Sequence, residues 1–308
     1  MRRKHYFVWM LTVALTAASV MPMTVYAQPA FASGGEVKVV EGDVNGEMQG
    51  GVMSPGAMAI EGSDLKVNGN VSDGLVSDSS TVTVNGNVTG NGIDTVIAKK
   101  GTVTVNGTVT ATDLSEKTGV LASNGSNLTV GDTEVGGKES TGVIAESGSK
   151  ATAGNVKVSG EYMTGTSAYG DSTVHVKGNV TADGNGMKGV SVHDGDKSSL
   201  IVDGDVTATG ENSVGIYGET GTIKIGGDVS GREAVITKGK ADVTVGGSVS
   251  GTLVGIVAGG NAAVSVKGDA GTKTGAGMFA QENATVTVDG NVTGGTFYGA
   301  PEDFEDVY

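Results

Sequence analysis

From Thr81 to Val84, valine and threonine alternate, with Val82 and Val84 on one side and Thr81 and Thr83 on the other. Period-2 alternation of β-branched residues predicts a strand with one buried face. Asn85-Gly86-Asn87 interrupts the run with residues that tolerate positive φ, so the chain is expected to turn a corner there. Val88 resumes the pattern. A second apolar run, Ile93 with Val96-Ile97-Ala98, closes at Lys99-Lys100-Gly101. One unit reads strand, corner, short strand, loop, strand, loop.

The unit recurs along the chain. Its corner glycine is read at Gly42, Gly69, Gly86, Gly107, Gly160, Gly178, Gly204, Gly227, Gly247, Gly268 and Gly290, with a degenerate copy at Leu128-Thr129-Val130-Gly131. Gly42 and Gly290 are 248 residues apart over eleven intervals, a mean near 22.5. Val or Ile stands two residues before each of the eleven regular glycines. The second run recurs at Gly119-Val120-Leu121-Ala122, Gly142-Val143-Ile144-Ala145, Gly215-Ile216-Tyr217, Gly255-Ile256-Val257-Ala258 and Gly277-Met278-Phe279-Ala280.

A unit this short cannot offset its own ordering entropy by burying a handful of Val, Ile and Ala side chains. Units must stack and share a continuous core. Keeping one strand order and one polarity predicts parallel ladders along a solenoid: an all-β, right-handed parallel β-helix of about 11–12 coils, about 22 residues per coil. Intervals from 17 to 29 residues favour it over a left-handed helix, which keeps a strict hexapeptide period. Aromatic residues at 4% do not supply the girdles of a membrane barrel. No proline lies between Gly56 and Ala300, which suits uninterrupted ladders.

Composition adds compartment and excludes partners. Arg2-Arg3-Lys4-His5, the apolar run Tyr6–Val20 and Val25-Tyr26-Ala27 read as a signal peptide over residues 1–27, with an alternative end at 32 after Ala30-Phe31-Ala32. The chain is therefore expected to be secreted or held at the cell surface, and not integral to the membrane once the leader is removed. That leader has three basic residues and no acid, so the 20 basic and 34 acidic residues of the chain leave 17 against 34 beyond it. Such an acidic chain is not expected to bind nucleic acid, whose phosphates demand clustered Lys and Arg.

Residues 33–64 read as an N-terminal cap with a first degenerate coil, Met48–Ala57 covering its edge, and 65–295 as the repeats. Within them Ser126–Asp171 is the most worn stretch: Val135 falls out of register and Glu161-Tyr162-Met163 replaces the second apolar strand. Residues 296–308 read as a C-terminal cap or as the start of something longer, in which case the chain is the N-terminal piece of a larger surface protein.

The Val-x-Val-x-Gly-[Asn/Asp]-Val units, such as Val84-Asn85-Gly86-Asn87-Val88 and Val288-Asp289-Gly290-Asn291-Val292, resemble the β-helix of bacterial surface proteins: adhesins, autotransporter passengers and related pectin-lyase-like solenoids. The resemblance covers roughly residues 36–295. It implies architecture, not activity, because many functions sit on this fold. It makes a non-catalytic surface or adhesin-like module the expected function, with a polysaccharide or a host or cell-surface ligand as partner. A carbohydrate-binding or polysaccharide-degrading protein is the competing class.

No cofactor, metal or catalytic residue is assigned. The weak candidates for calcium or an acid pair are Asp203 and Asp205, which flank Gly204, and Asp228 one coil on, with Arg232 nearby. Their plainer reading is corner residues, since Asn70, Asn87, Asn179 and Asn291 fill the slot of Asp205 and Asp228. His193, Asp194 and Asp196 fall in a long interval, where with His175 they are weighed as metal ligands against a solvated loop. Thr-x-Thr pairs such as Thr81/Thr83 have the form of an ice-binding ladder, but charged residues break the array. Asp113–Thr118, Glu161–Asp171, Asp183–Lys188 and His193–Lys197 are read as the contact loops.

Overall fold

The structure is a computed structural model that describes residues 28–49 and 52–294. The expected signal peptide and the segment 296–308 lie outside the described residues. Every regular element described is a β-strand.

The strands stack in parallel as a solenoid of about 11 turns, with successive turns about 23 residues apart. Each turn has three faces. The first face is a 12-stranded sheet built from the alternating Val/Thr strands, running from Val37–Val40 through Thr81–Val84 to Thr285–Val288. The second face begins after the corner, as in Val88–Asn91 and Val180–Asn185. The third face holds the second apolar run, as in Val96–Lys99 and Lys188–Val192. Val229–Thr237 and Val249–Ala258 run from the second face onto the third, which joins both ladders into one 20-stranded sheet. At about 4.8 Å per turn the rod is roughly 55 Å long. Right-handed winding, the expected hand, is the one parallel crossovers favour.

The register follows from the alternation. Val82 and Val84 pair with Leu65 and Val67 on one side and with Val103 and Val105 on the other, all essentially fully buried. The core is thus columns of like side chains, one column for each inward position on each face.

At the corner each Asn or Asp holds the next turn. The Asn70 side-chain oxygen accepts from the Asn87 amide at 2.9 Å, and the Asn87 oxygen from the Thr108 amide at 2.8 Å. A second polar column lies at the turn from the third face back to the first. Ser63, Ser126, Ser149 and Ser172 are buried there, and the Ser149 and Ser172 hydroxyls accept from the amides of Ser126 and Ser149. These serines satisfy buried amides that would otherwise lose water without replacement.

Three expectations are corrected. The corner after Gly131 is Gly154, not Gly160: the Gly154 amide donates to the Gly131 carbonyl, and the Asn155 amide donates to Asp132 Oδ1. Gly160 lies within the second-face strand Val156–Glu161, opposite Gly137 and Gly184. Val135 is in register, pairing with Ala111 and Val158, because Thr133 fills the preceding inward slot. Glu161 ends the second-face strand, Tyr162-Met163 is the turn before the third-face strand Thr164–Ala168, and that strand takes five of the eleven residues of the expected loop Glu161–Asp171.

At the N-terminal end, Ala30–Ala32 already pairs with Ala57–Ile60. Lys38 stands opposite inward Leu65, and its ammonium donates to the Phe31 carbonyl at 2.9 Å. A lysine in an inward slot ends the apolar column with a group that reaches water. Residues Met48–Gln49 and Val52–Met53 form an antiparallel pair between the second and third faces of this turn. At the other end the inward residues Met278 and Val292 are 38% and 50% exposed.

Candidate functional site: a cleft on the third face

The third face carries a side-chain row that the strand alternation turns outward. Register places Met58, Val76, Ile97, Leu121, Ile144, Ser167, Ser191, Tyr217, Ile236, Val257 and Phe279 in one file along the rod. Nine of these eleven are apolar or aromatic. The run Val143-Ile144-Ala145 therefore splits, with Val143 and Ala145 facing the core and Ile144 facing out.

Ser167 and Ser191 break the file. Two small side chains in succession, between Ile144 and Tyr217, leave a cleft of about 680 Å³ open to solvent. That is within the range of small-molecule binding sites. Thr141, Thr164 and Lys188 line one long side, and Tyr169, His193 and Glu219 the other. Lys238 also reaches it.

Neighbouring turns hold these walls in place. The Tyr169 and His193 rings stack at 5.0 Å between centroids with planes 14° apart, one turn from each other. The Tyr169 hydroxyl donates to Glu146, and the Tyr217 hydroxyl donates to Glu219 Oε1 at 2.6 Å. Burial first, and then the carboxylate partner, push both phenol groups well above the usual tyrosine value, so both remain donors at neutral pH. The Lys188 ammonium sits 4.5 Å from the centre of the Tyr217 ring. Burial lowers its pKa, partly opposed by the Glu219 charge.

Two features of the cleft are chemically open. Ser167 and Ser191 are each 5% exposed, and neither hydroxyl has a hydrogen-bonding partner among the described residues. Lys188 lies against an aromatic ring and makes no ion pair among them. Both serine oxygens face the open cleft, where a ligand hydroxyl or carboxylate can take the place of water.

The acids singled out in the sequence lie elsewhere. Asp205 accepts from the Asp228 amide at 2.8 Å, and Asp228 from the Ser248 amide at 2.7 Å. Both are corner residues, in the slot of Asn179, whose side-chain oxygen accepts from the Asp205 amide. Asp203 pairs with His175 at 3.0 Å on the first face. Arg232 donates to Asn212 at 3.0 Å rather than engaging Asp228. His193 stands at the edge of the third face, away from the first-face strand that carries His175, and its Nδ1 lies 3.5 Å from Asp194. Asp194 and Asp196 are exposed on the loop that follows. Among the described residues, no three His, Asp or Glu side chains come together as a metal site. Of the acids and histidines weighed from sequence, only His193 reaches the cleft, while the expected contact stretches Glu161–Asp171 and Asp183–Lys188 supply Thr164, Ser167, Tyr169 and Lys188.

Comparison of the chain with protein-family models, with curated proteins and with solved structures finds no match in any of the three.

Proposed function

We propose that the chain is an exported, adhesin-like surface module: a rigid rod that binds a ligand on its third face and does no chemistry on it. The cleft carries this reading. It is a preformed cavity on a regular face, with donors and a cation turned into it. Asp203, Asp205 and Asp228, the acids weighed for a polysaccharide-cleaving or calcium site, are bonded to His175 and to corner amides instead, and the carboxylate lining the cleft is that of Glu219. Export rests on the leader. Cleavage after Ala27 leaves the Ala30–Ala32 strand on the rod, whereas cleavage after Ala32 removes it.

The test is binding of the purified mature chain to a panel of neutral and acidic glycans, with and without calcium, while assaying for new sugar ends. The expected result is saturable, calcium-independent retention and no new ends. Turnover of any member of the panel overturns the non-catalytic reading.

A further inference from the structure

The reading above leaves the ligand open, and the cleft narrows its chemistry. Its floor offers two hydroxyls with no partner among the described residues, one turn apart and about 4.8 Å along the rod, their oxygens open to the cleft. Its far end presents the Lys188 ammonium over the Tyr217 ring. Glu146 and Glu219, the nearby carboxylates, each already accept a tyrosine hydroxyl. The free cleft between Ile144 and Tyr217 extends for about two turns, roughly 10 Å. That is room for one sugar ring and the linkage beyond it.

From this we infer that the cleft binds a glycan through a single carboxylated sugar, its carboxylate on Lys188 and its hydroxyls on Ser167 and Ser191. The inference rests on the reading of the third face as a binding surface.

The charge of the whole rod limits the ligand further. Beyond the leader the chain carries 17 basic and 34 acidic residues. One carboxylate seated at Lys188 feels mainly the charges that line the cleft, Lys188 and Lys238 against Glu219, since charges beyond about 8 Å are screened at physiological salt. A polyuronate, with an acid on every ring, must lay its remaining charges along an acidic surface. A lone acidic sugar on an otherwise neutral chain is therefore preferred to a polyanion. The neutral version of the same glycan keeps the serine contacts and loses the ion pair.

The experiment is calorimetric titration of the mature chain with sialyllactose, lactose, free glucuronate and polygalacturonate. Sialyllactose is expected to bind at least tenfold more tightly than lactose, with an affinity that falls as salt is raised. Free glucuronate separates the carboxylate from the chain that bears it and is expected to bind more weakly than sialyllactose. Polygalacturonate is expected to bind more weakly still per site. The variant Ser167→Leu/Ser191→Leu fills the cleft with a side chain that the same file already holds at Leu121. It is expected to abolish binding with an unchanged unfolding midpoint. Lys188→Met keeps the bulk and is expected to reduce sialyllactose binding to the level of lactose. Equal binding of sialyllactose and lactose, or binding unaffected by the filled cleft, overturns the inference. If either occurs while another glycan of the panel is retained uncleaved, the surface-binding reading stands without this ligand; new sugar ends overturn that reading itself.

Discussion

Asp205 shows how one side chain can look like chemistry and serve structure. Its carboxylate follows a corner glycine, beside a second acid and one turn from a third, which in sequence has the outline of an acid pair or a calcium site. In the fold its oxygen receives the Asp228 amide, as the Asn179 oxygen receives its own. The bond needs an acceptor, not a charge. Asp205→Ala is expected to lower stability by about 0.5–1.5 kcal/mol, and Asp205→Asn to change it by no more than a few tenths. Urea unfolding of the two variants checks this. A loss of the same size in both would mean that the charge itself matters.

At the scale of the strand, the legible part was what repeats. The Val-x-Val alternation and the corner glycine gave the first face, its polarity and its partner turns. The stretch around Gly154 was misread for a physical reason. In that copy the inward valines are Ala151 and Ala153, and, as at Gly131, the residue between strand and glycine is missing. Alanine still fills an inward slot, so the ladder continues where the sequence pattern fades. The cleft was less legible. It exists because two side chains 24 residues apart are small in an outward file whose other members are large. No local pattern marks such a gap. Only aligning the third-face strands by register, so that Ile144, Ser167, Ser191 and Tyr217 stand in one column, brings it out.

The third face also depends on a column of glycines at its entrance. A Cβ on Gly189 would lie 2.5 Å from the Gly215 carbonyl oxygen and 2.5 Å from a Val206 methyl, so a strand or its neighbour must move. Gly136, on the second face, has nothing closer than 3.7 Å. Gly189→Ala is expected to cost about 1–3 kcal/mol, and Gly136→Ala to be close to neutral, as read by their urea midpoints. Equal effects would contradict the packing described for the third face.

At the scale of the whole molecule, the rod is a one-dimensional stack in which each turn is held by the turns on either side. The lateral faces are therefore fixed in shape before any ligand arrives, and a small change in one file of side chains becomes a cavity at a defined height along the axis. Position on the rod is the claim that joins sequence, fold and proposed role. A photo-crosslinking acidic trisaccharide, bound to the mature chain and mapped by peptide mass spectrometry, tests it most directly. Labelling confined to the third-face segments 164–169, 188–193 and 214–219 is the result this account predicts. Labelling at the corner around Asp203, Asp205 and Asp228, or spread along the first face, would contradict it.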